Sequence, residues 1–237
     1  MQAIGMNRIY HLHIPRCSGI YVREHVLPNL KANDISFFAS HHMELKKDDL
    51  AYKNFISGHF GTTPIQGANQ IIFTMLRNPV DRYISNFLYI TKFNNEKEMY
   101  NKLDLWINDP KVLALQSNLQ YKMLSNSTDI KWYNESDKNV YQRAENGWCL
   151  DSNSFTDPKS VLDKCEIVGL VDEHESFLKK LNILLENNYG FTTFLNNKKM
   201  NINLKKIQVS ESIKKKIAEI NSLDMEMYEY ARSIKKY

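Results

Sequence analysis

No run of this sequence approaches the roughly 18 apolar residues that a membrane-spanning helix needs, and its opening residues, MQAIGMNR, are too short and polar for a signal peptide's apolar core. The expectation is a cytoplasmic chain with no membrane partner. Cysteine is scarce: Cys17, Cys149 and Cys165 are odd in number and widely spaced, with no CxxC pair. That excludes a disulfide framework, suits a reducing compartment and predicts no metal site. Glycine (8) and proline (6) are too sparse for a low-complexity or fibrous chain. Also missing is the GxxxxGK(S/T) loop of nucleoside triphosphatases, which disfavours ordinary kinase or ATPase chemistry. An excess of one charge sign is absent too: 31 Lys and Arg against 27 Asp and Glu leave a formal +4. No nucleic-acid partner is expected from so mild a balance, which still favours an anionic nucleotide or acidic substrate.

What is present describes one soluble domain spanning residues 1–237, long enough to bury a core and cover it with helices. RIYHLHI at 8–14 reads as a strand, followed by Pro15, a turn at 17–19 and a helix over 20–30. Short apolar runs at 35–39 and 54–57 read as buried strands, and QIIFTML at 70–76 as the clearest one. Pro79 then opens a helix through Leu88. Residues 101–123 are helical in pattern, with a break at Asp109 and Pro110, and 124–158 read as an irregular excursion rich in Asn, Ser and Asp. CEIVGL at 165–170 returns to strand, 172–185 to an amphipathic helix, and two helices follow at 210–220, with Ser210 as N-cap, and 223–234. Alternation of strand and helix predicts a three-layer α/β/α architecture around a parallel sheet, with the site in loops at the strands' C-terminal ends.

Two segments carry chemistry. HIPRCSG, His13 to Gly19, joins a strand to a helix, where backbone N–H groups, the helix dipole and the Arg16 charge make an anion cradle. A tight surface turn with a solvated Arg is the plain alternative. In LRNPVDRYISNFLY, 76–89, Arg77 ends a strand and Ser85 lies two turns into the next helix, so both can converge on one phosphate. Ser85 could equally be a small residue at a helix contact, and Asp81 and Arg82 read as a solvated pair.

Together these segments resemble the cofactor signatures of carbohydrate sulfotransferases that use 3′-phosphoadenosine 5′-phosphosulfate (PAPS), the group including heparan sulfate 2-O-sulfotransferase and its bacterial relatives. Those enzymes carry HIPKTGGTS after the first strand and RDPVERFLSxY after a later one. SGHF at 57–60, NLQYKML at 118–124, VGLVDEHESFLKKL at 168–181 and INSLDMEMYEYA at 220–231 continue the match in order. The resemblance implies a P-loop nucleoside-triphosphate-hydrolase-like sulfotransferase fold and a sulfuryl transfer from PAPS to a hydroxyl, of a carbohydrate or another acceptor, releasing 3′-phosphoadenosine 5′-phosphate (PAP). It implies that Pro15, Arg16, Cys17, Ser18, Gly19 and Ile20 hold the 5′-phosphosulfate, that Arg77 and Ser85 hold the 3′-phosphate, that Lys205 and Lys206 close over the nucleotide, and that His59 is the general base, with Arg16 stabilising the bridging oxygen. No metal is implied.

Departures are as specific as the matches. Arg16 stands where the family has Lys, Cys17 and Ser18 replace Thr and Gly, and Ile20 and Tyr21 replace hydroxyl residues that grip the phosphosulfate. These changes motivate a rival reading, a PAP- or PAPS-binding protein with weak or lost transfer, and shared architecture leaves a nucleotide or sugar kinase as another. His11 and His13 share one strand face but are too few for a metal site, and His13 is expected to fix the loop by hydrogen bonding. Cys17, beside Arg16 near a helix start, sits where a thiolate is favoured. Met227 and Tyr228 read as core, Tyr230 with them. Trp132 and Trp148 are candidate sugar platforms or, equally, anchors of the excursion at 124–158, and His41 and His42 are candidate substrate contacts.

Overall fold

The computed structural model describes residues 7–40, 53–62, 70–92, 94–125, 157–191 and 208–234. Five strands, β1 (Arg8–Leu12), β2 (Phe37–Ser40), β3 (Phe55–Gly58), β4 (Gln70–Leu76) and β5 (Ile167–Leu170), form one sheet in the order β2-β3-β1-β4-β5. Every pairing is parallel. β1 lies in the middle, Leu12 registering with Gly58 on one side and Thr74 on the other. Chain order reverses around it, and the loops after β1, β3 and β4 therefore meet at one crevice. Coverage of both faces explains why β3 and β5 are buried along their whole length.

The helices follow from caps that the sequence spells out. α1 runs from Gly19–Tyr21 through a π-helical stretch, Val22–Val26, into Leu27–Ala32. α2 (Pro79–Ile90) is capped by Asn78, which accepts from the N–H groups of Val80 and Asp81. α3 (Glu96–Trp106) is capped by Asn95. The break at Asp109 and Pro110 is a restart, Asp109 capping α4 (Pro110–Gln116), and α5 (Leu119–Ser125) follows. Asp157 and Pro158 repeat the device at α6 (Pro158–Lys164), a short helix that the sequence reading passed over. Each such cap contributes about 1 kcal/mol, and proline at N1 forfeits only an N–H that has no helical partner. A 3₁₀ turn, Val171–Glu173, leads into α7 (His174–Tyr189), ended by left-handed Gly190. α8 (Glu211–Ile220), with Ser210 as its N-cap, and α9 (Ser222–Ile234) close the described chain.

Phe73 of β4 meets Phe177 of α7 and stacks on His11, so α7 lies against that face of the sheet. Gly169 is required here sterically, because a Cβ would stand 2.3 Å from the Phe177 ring. α5, α6 and α9 pack on one another, and their buried residues Leu119, Met123, Leu162 and Tyr228 join the same core cluster as the sheet. A second apolar cluster, including Tyr83, Phe87, Leu103 and Ile217, joins α2 to α3 and α8. Met227 and Tyr228 are buried, in line with the core reading. The expected solvated pair at 81 and 82 is corrected. Asp81 is exposed, but Arg82 is 0% exposed and faces Asp224, also 0% exposed, across 3.8 Å. The partner lies 142 positions away in sequence, out of reach of any local pattern. No described helix is long and apolar enough to cross a membrane.

Candidate functional site

The loop after β1 turns sharply because Arg16 (φ 67°) and Ser18 (φ 63°) are left-handed, on either side of Cys17, which is not. For residues other than glycine this costs roughly 1–2 kcal/mol each, and alternation of hand turns successive N–H groups toward one concavity. Cys17 N–H closes the turn on the Ile14 carbonyl at 3.1 Å. Among the described residues no backbone carbonyl takes the N–H of Ser18, Gly19 or Ile20. These are the donors an anion at the start of α1 would find.

His13 sits beneath that turn. Its ring fills the place where a side chain on Gly19 would begin, a Cβ there falling 1.6 Å from His13 Nε2. Glycine is therefore demanded by contact rather than by backbone angle. His13 is one of three imidazoles in a row, 5.1 Å from His11 and 4.5 Å from His59 between ring centres. His11 Nδ1 is 2.8 Å from Ser57 Oγ. His59, one residue beyond β3, is thus tied through His13 to the first residue of α1.

On the other side the loop meets β4 and α2. Arg16 Nε and one terminal nitrogen both donate to Ser85 Oγ at 3.1 Å. The Arg16 guanidinium lies 4.6 Å from the centre of the Tyr89 ring, one turn further along α2. Arg77 donates to the Arg16 carbonyl at 3.4 Å. Partial burial, and next the nearby Arg77 charge, lower the Arg16 pKa from its ordinary value. No described carboxylate pairs with either guanidinium. Arg16, Arg77 and Ser85 therefore form a cationic corner with no counter-ion among the described residues, an arrangement suited to an anion.

Gln120, fully buried on α5, holds this corner in register. Its side-chain oxygen accepts from the Arg77 N–H at 3.0 Å and its amide nitrogen donates to the Arg77 carbonyl at 2.9 Å. Cys17 Sγ donates to the same oxygen at 3.5 Å. Asp224 in turn accepts from the N–H groups of Gln120 and Tyr121 at 3.3 and 2.7 Å. Burial raises the Asp224 pKa, opposed by Arg82 and by these two N–H groups. A thiolate at Cys17 is not favoured after all. Burial pushes the thiol up to about 12 despite Arg82 and Arg77 nearby, because the sulfur faces the protein interior and not the loop's open side.

This strand–loop–helix site belongs to a known class. The model of the sulfotransferase family matches residues 7–231. The chain belongs to the sulfotransferase family. No curated protein matches the sequence. Membership makes this sulfotransferase a transferase that draws on a sulfuryl donor, and its parallel three-layer fold agrees.

Of the residues picked from the sequence of this sulfotransferase, Pro15 to Ile20, Arg77 and Ser85 come together, and His59 joins them through His13. Tyr21 does not offer its hydroxyl to the loop. It is buried between His25 and His174, ring centres 4.4 and 5.0 Å away, and burial raises its pKa. Lys205, Lys206, His41, His42, Trp132 and Trp148 lie outside the described residues. Sequence reasoning missed Gln120, Tyr89 and Asp224. Tyr89 was legible as the residue four past Ser85 on one helix face, and Gln120 as the polar residue inside NLQYKML. Asp224 carries no local signal.

Proposed function

We propose that this protein transfers a sulfuryl group from PAPS to a hydroxyl of a carbohydrate. The observation that carries the reading is convergence: one loop touches a histidine row ending in His59 on one side and the Arg77 and Ser85 corner on the other. Arg77 and Ser85 suit a phosphate monoester dianion, a forked cation and a hydroxyl presented together. The residues fit the donor's other end as well, since the N–H groups of Ser18, Gly19 and Ile20 have no described backbone partner. When bound, the donor supplies a sulfuryl group activated by its phosphate anhydride bond.

His59 is the residue suited to take the acceptor's proton at a ring nitrogen. The row of His11 and His13 behind it fixes its ring, so a proton acceptor is held in place before the acceptor arrives. Charge developing on the departing phosphate oxygen falls to fixed backbone N–H groups and the start of α1, which need no reorganisation during the reaction.

The test is calorimetric titration of the purified chain with PAP and ATP, alongside the Arg77→Ala variant. Tight PAP binding, little ATP binding and a large loss in Arg77→Ala support the reading and justify a glycan screen with His59→Ala as the inactive control. Folded protein that ignores PAP sinks it, and strong ATP-dependent phosphorylation would point to a kinase. A second reading, a nucleotide-binding protein with weak or lost transfer, is favoured by one observation: the Tyr21 hydroxyl is buried with no described hydrogen-bond partner, its ring beside His25 and His174. PAP binding without turnover across a broad acceptor panel would establish that reading.

A further inference from the structure

Two guanidinium groups side by side, partly withdrawn from water and without a carboxylate, are costly unless an anion joins them. Arg16 and Arg77 approach this condition: both are partly buried, Arg77 donates to the Arg16 backbone carbonyl, its charge lowers the Arg16 pKa, and no described carboxylate pairs with either. The end of the Arg16 side chain is also fixed in direction. Both of its donors to Ser85 spend themselves on one oxygen, and its flat face rests on the Tyr89 ring. Tyr89 is 72% exposed, so the guanidinium resting on its ring lies at the molecular surface. Ser85 and Tyr89 stand four residues apart on α2, so together they make a shelf along one helix face that carries the guanidinium. Ser85 is itself buried and, having accepted two N–H groups, keeps its own O–H to donate.

We propose that Arg16 binds the nucleotide's 3′-phosphate, as a third ligand beside Arg77 and Ser85, and does not serve as the cation at the sulfuryl-bearing end. This rests on the PAPS reading above. A terminal phosphate monoester carries close to two negative charges and three free oxygens, which matches two guanidinium groups and a hydroxyl. The anhydride at the other end offers a more dispersed charge and is left to backbone N–H groups. Arginine at position 16 is essential to the arrangement. Its planar fork can hold Ser85 and lie on Tyr89 while keeping donors for phosphate, whereas lysine offers a single point of charge. The consequence is selectivity: the site should favour nucleotides with a 3′-phosphate more strongly than Arg77 and Ser85 alone would achieve.

The experiment compares PAP, 3′-AMP and 5′-AMP by calorimetric titration of the full chain, in wild type, Arg16→Ala and Arg16→Lys, each shown by melting temperature to be folded. A lost charge-assisted contact is worth roughly ten- to a hundredfold in affinity. Arg16→Ala should weaken PAP and 3′-AMP by that factor and change 5′-AMP by less than about threefold, with Arg16→Lys failing to restore the selectivity. Combining Arg16→Ala with Ser85→Ala should weaken PAP by less than the product of the two single losses, as for groups sharing one anion. Equal weakening of PAP and 5′-AMP with 3′-AMP unchanged, or a fully multiplicative double variant, would place Arg16 at the 5′ end and overturn the proposal. Wild type that binds neither PAP nor 3′-AMP would overturn the PAPS reading, and this inference with it.

Discussion

Asp224→Asn is the sharpest test of how the site is held. Asp224 and Arg82 are both 0% exposed, and three groups depend on that carboxylate: the Gln120 N–H, the Tyr121 N–H and the Arg82 guanidinium. Asparagine keeps one acceptor oxygen but turns the other position into a donor, which then faces a backbone N–H or a guanidinium. Arg82 is left with the Gln116 carbonyl at 2.7 Å as its described hydrogen-bond acceptor, a neutral group that does not compensate its charge. Breaking a buried pair from one side costs about 3–5 kcal/mol. For a chain of this length, where each kcal/mol moves the melting temperature by about 2–4 °C, the midpoint should fall by roughly 6–20 °C. Circular dichroism melts at neutral pH measure it. The double variant Arg82→Met, Asp224→Leu removes both charges and should recover at least half of the loss, because no charge is then stranded. A fall of less than about 3 °C in Asp224→Asn, or a double variant as unstable as the single, would refute the argument that this pair is a coupled buried unit.

Gly19→Ala forces a methyl group into the space of the His13 ring, which His11 and His59 confine; overpacking of this kind costs about 1–3 kcal/mol, read as a lowered melting temperature together with weaker PAP binding. Cys17, its pKa pushed up to about 12 by burial, should resist iodoacetamide at pH 8 in the native chain and react on unfolding, as peptide mapping by mass spectrometry will show. His174 is held below its ordinary pKa by burial, opposed by the Glu175 charge and helped by His25. The folded chain therefore binds fewer protons there than the unfolded one, and its contribution to stability is present above about pH 6.5 and lost as pH falls through the depressed folded value. His174→Gln should flatten the drop in melting temperature between about pH 7 and pH 5; an unchanged acid limb contradicts this.

Much of this was local and therefore written in the sequence. Unbroken apolar runs such as QIIFTML specify a strand covered on both faces, and Asn78-Pro79, Asp109-Pro110 and Asp157-Pro158 start helices by chemistry confined to four residues. The turn at 13–19 and the approach of Arg77 and Ser85 to it were legible too, because a strand end and the next helix's second turn are neighbours in any such unit. What the sequence left open depends on contacts between distant segments. Arg82 reads as a surface residue until α9 brings Asp224 to it. Cys17 reads as an activated thiol until α5 places Gln120 over it and the interior excludes water. Arg16 reads as a cation for the loop, and only the packing of β1 against β4 and α2 sets it beside Arg77, Ser85 and Tyr89. Periodicity and capping act over a few residues and fix the elements, whereas charge and burial act through space, so the roles of these side chains were decided only when the sheet closed.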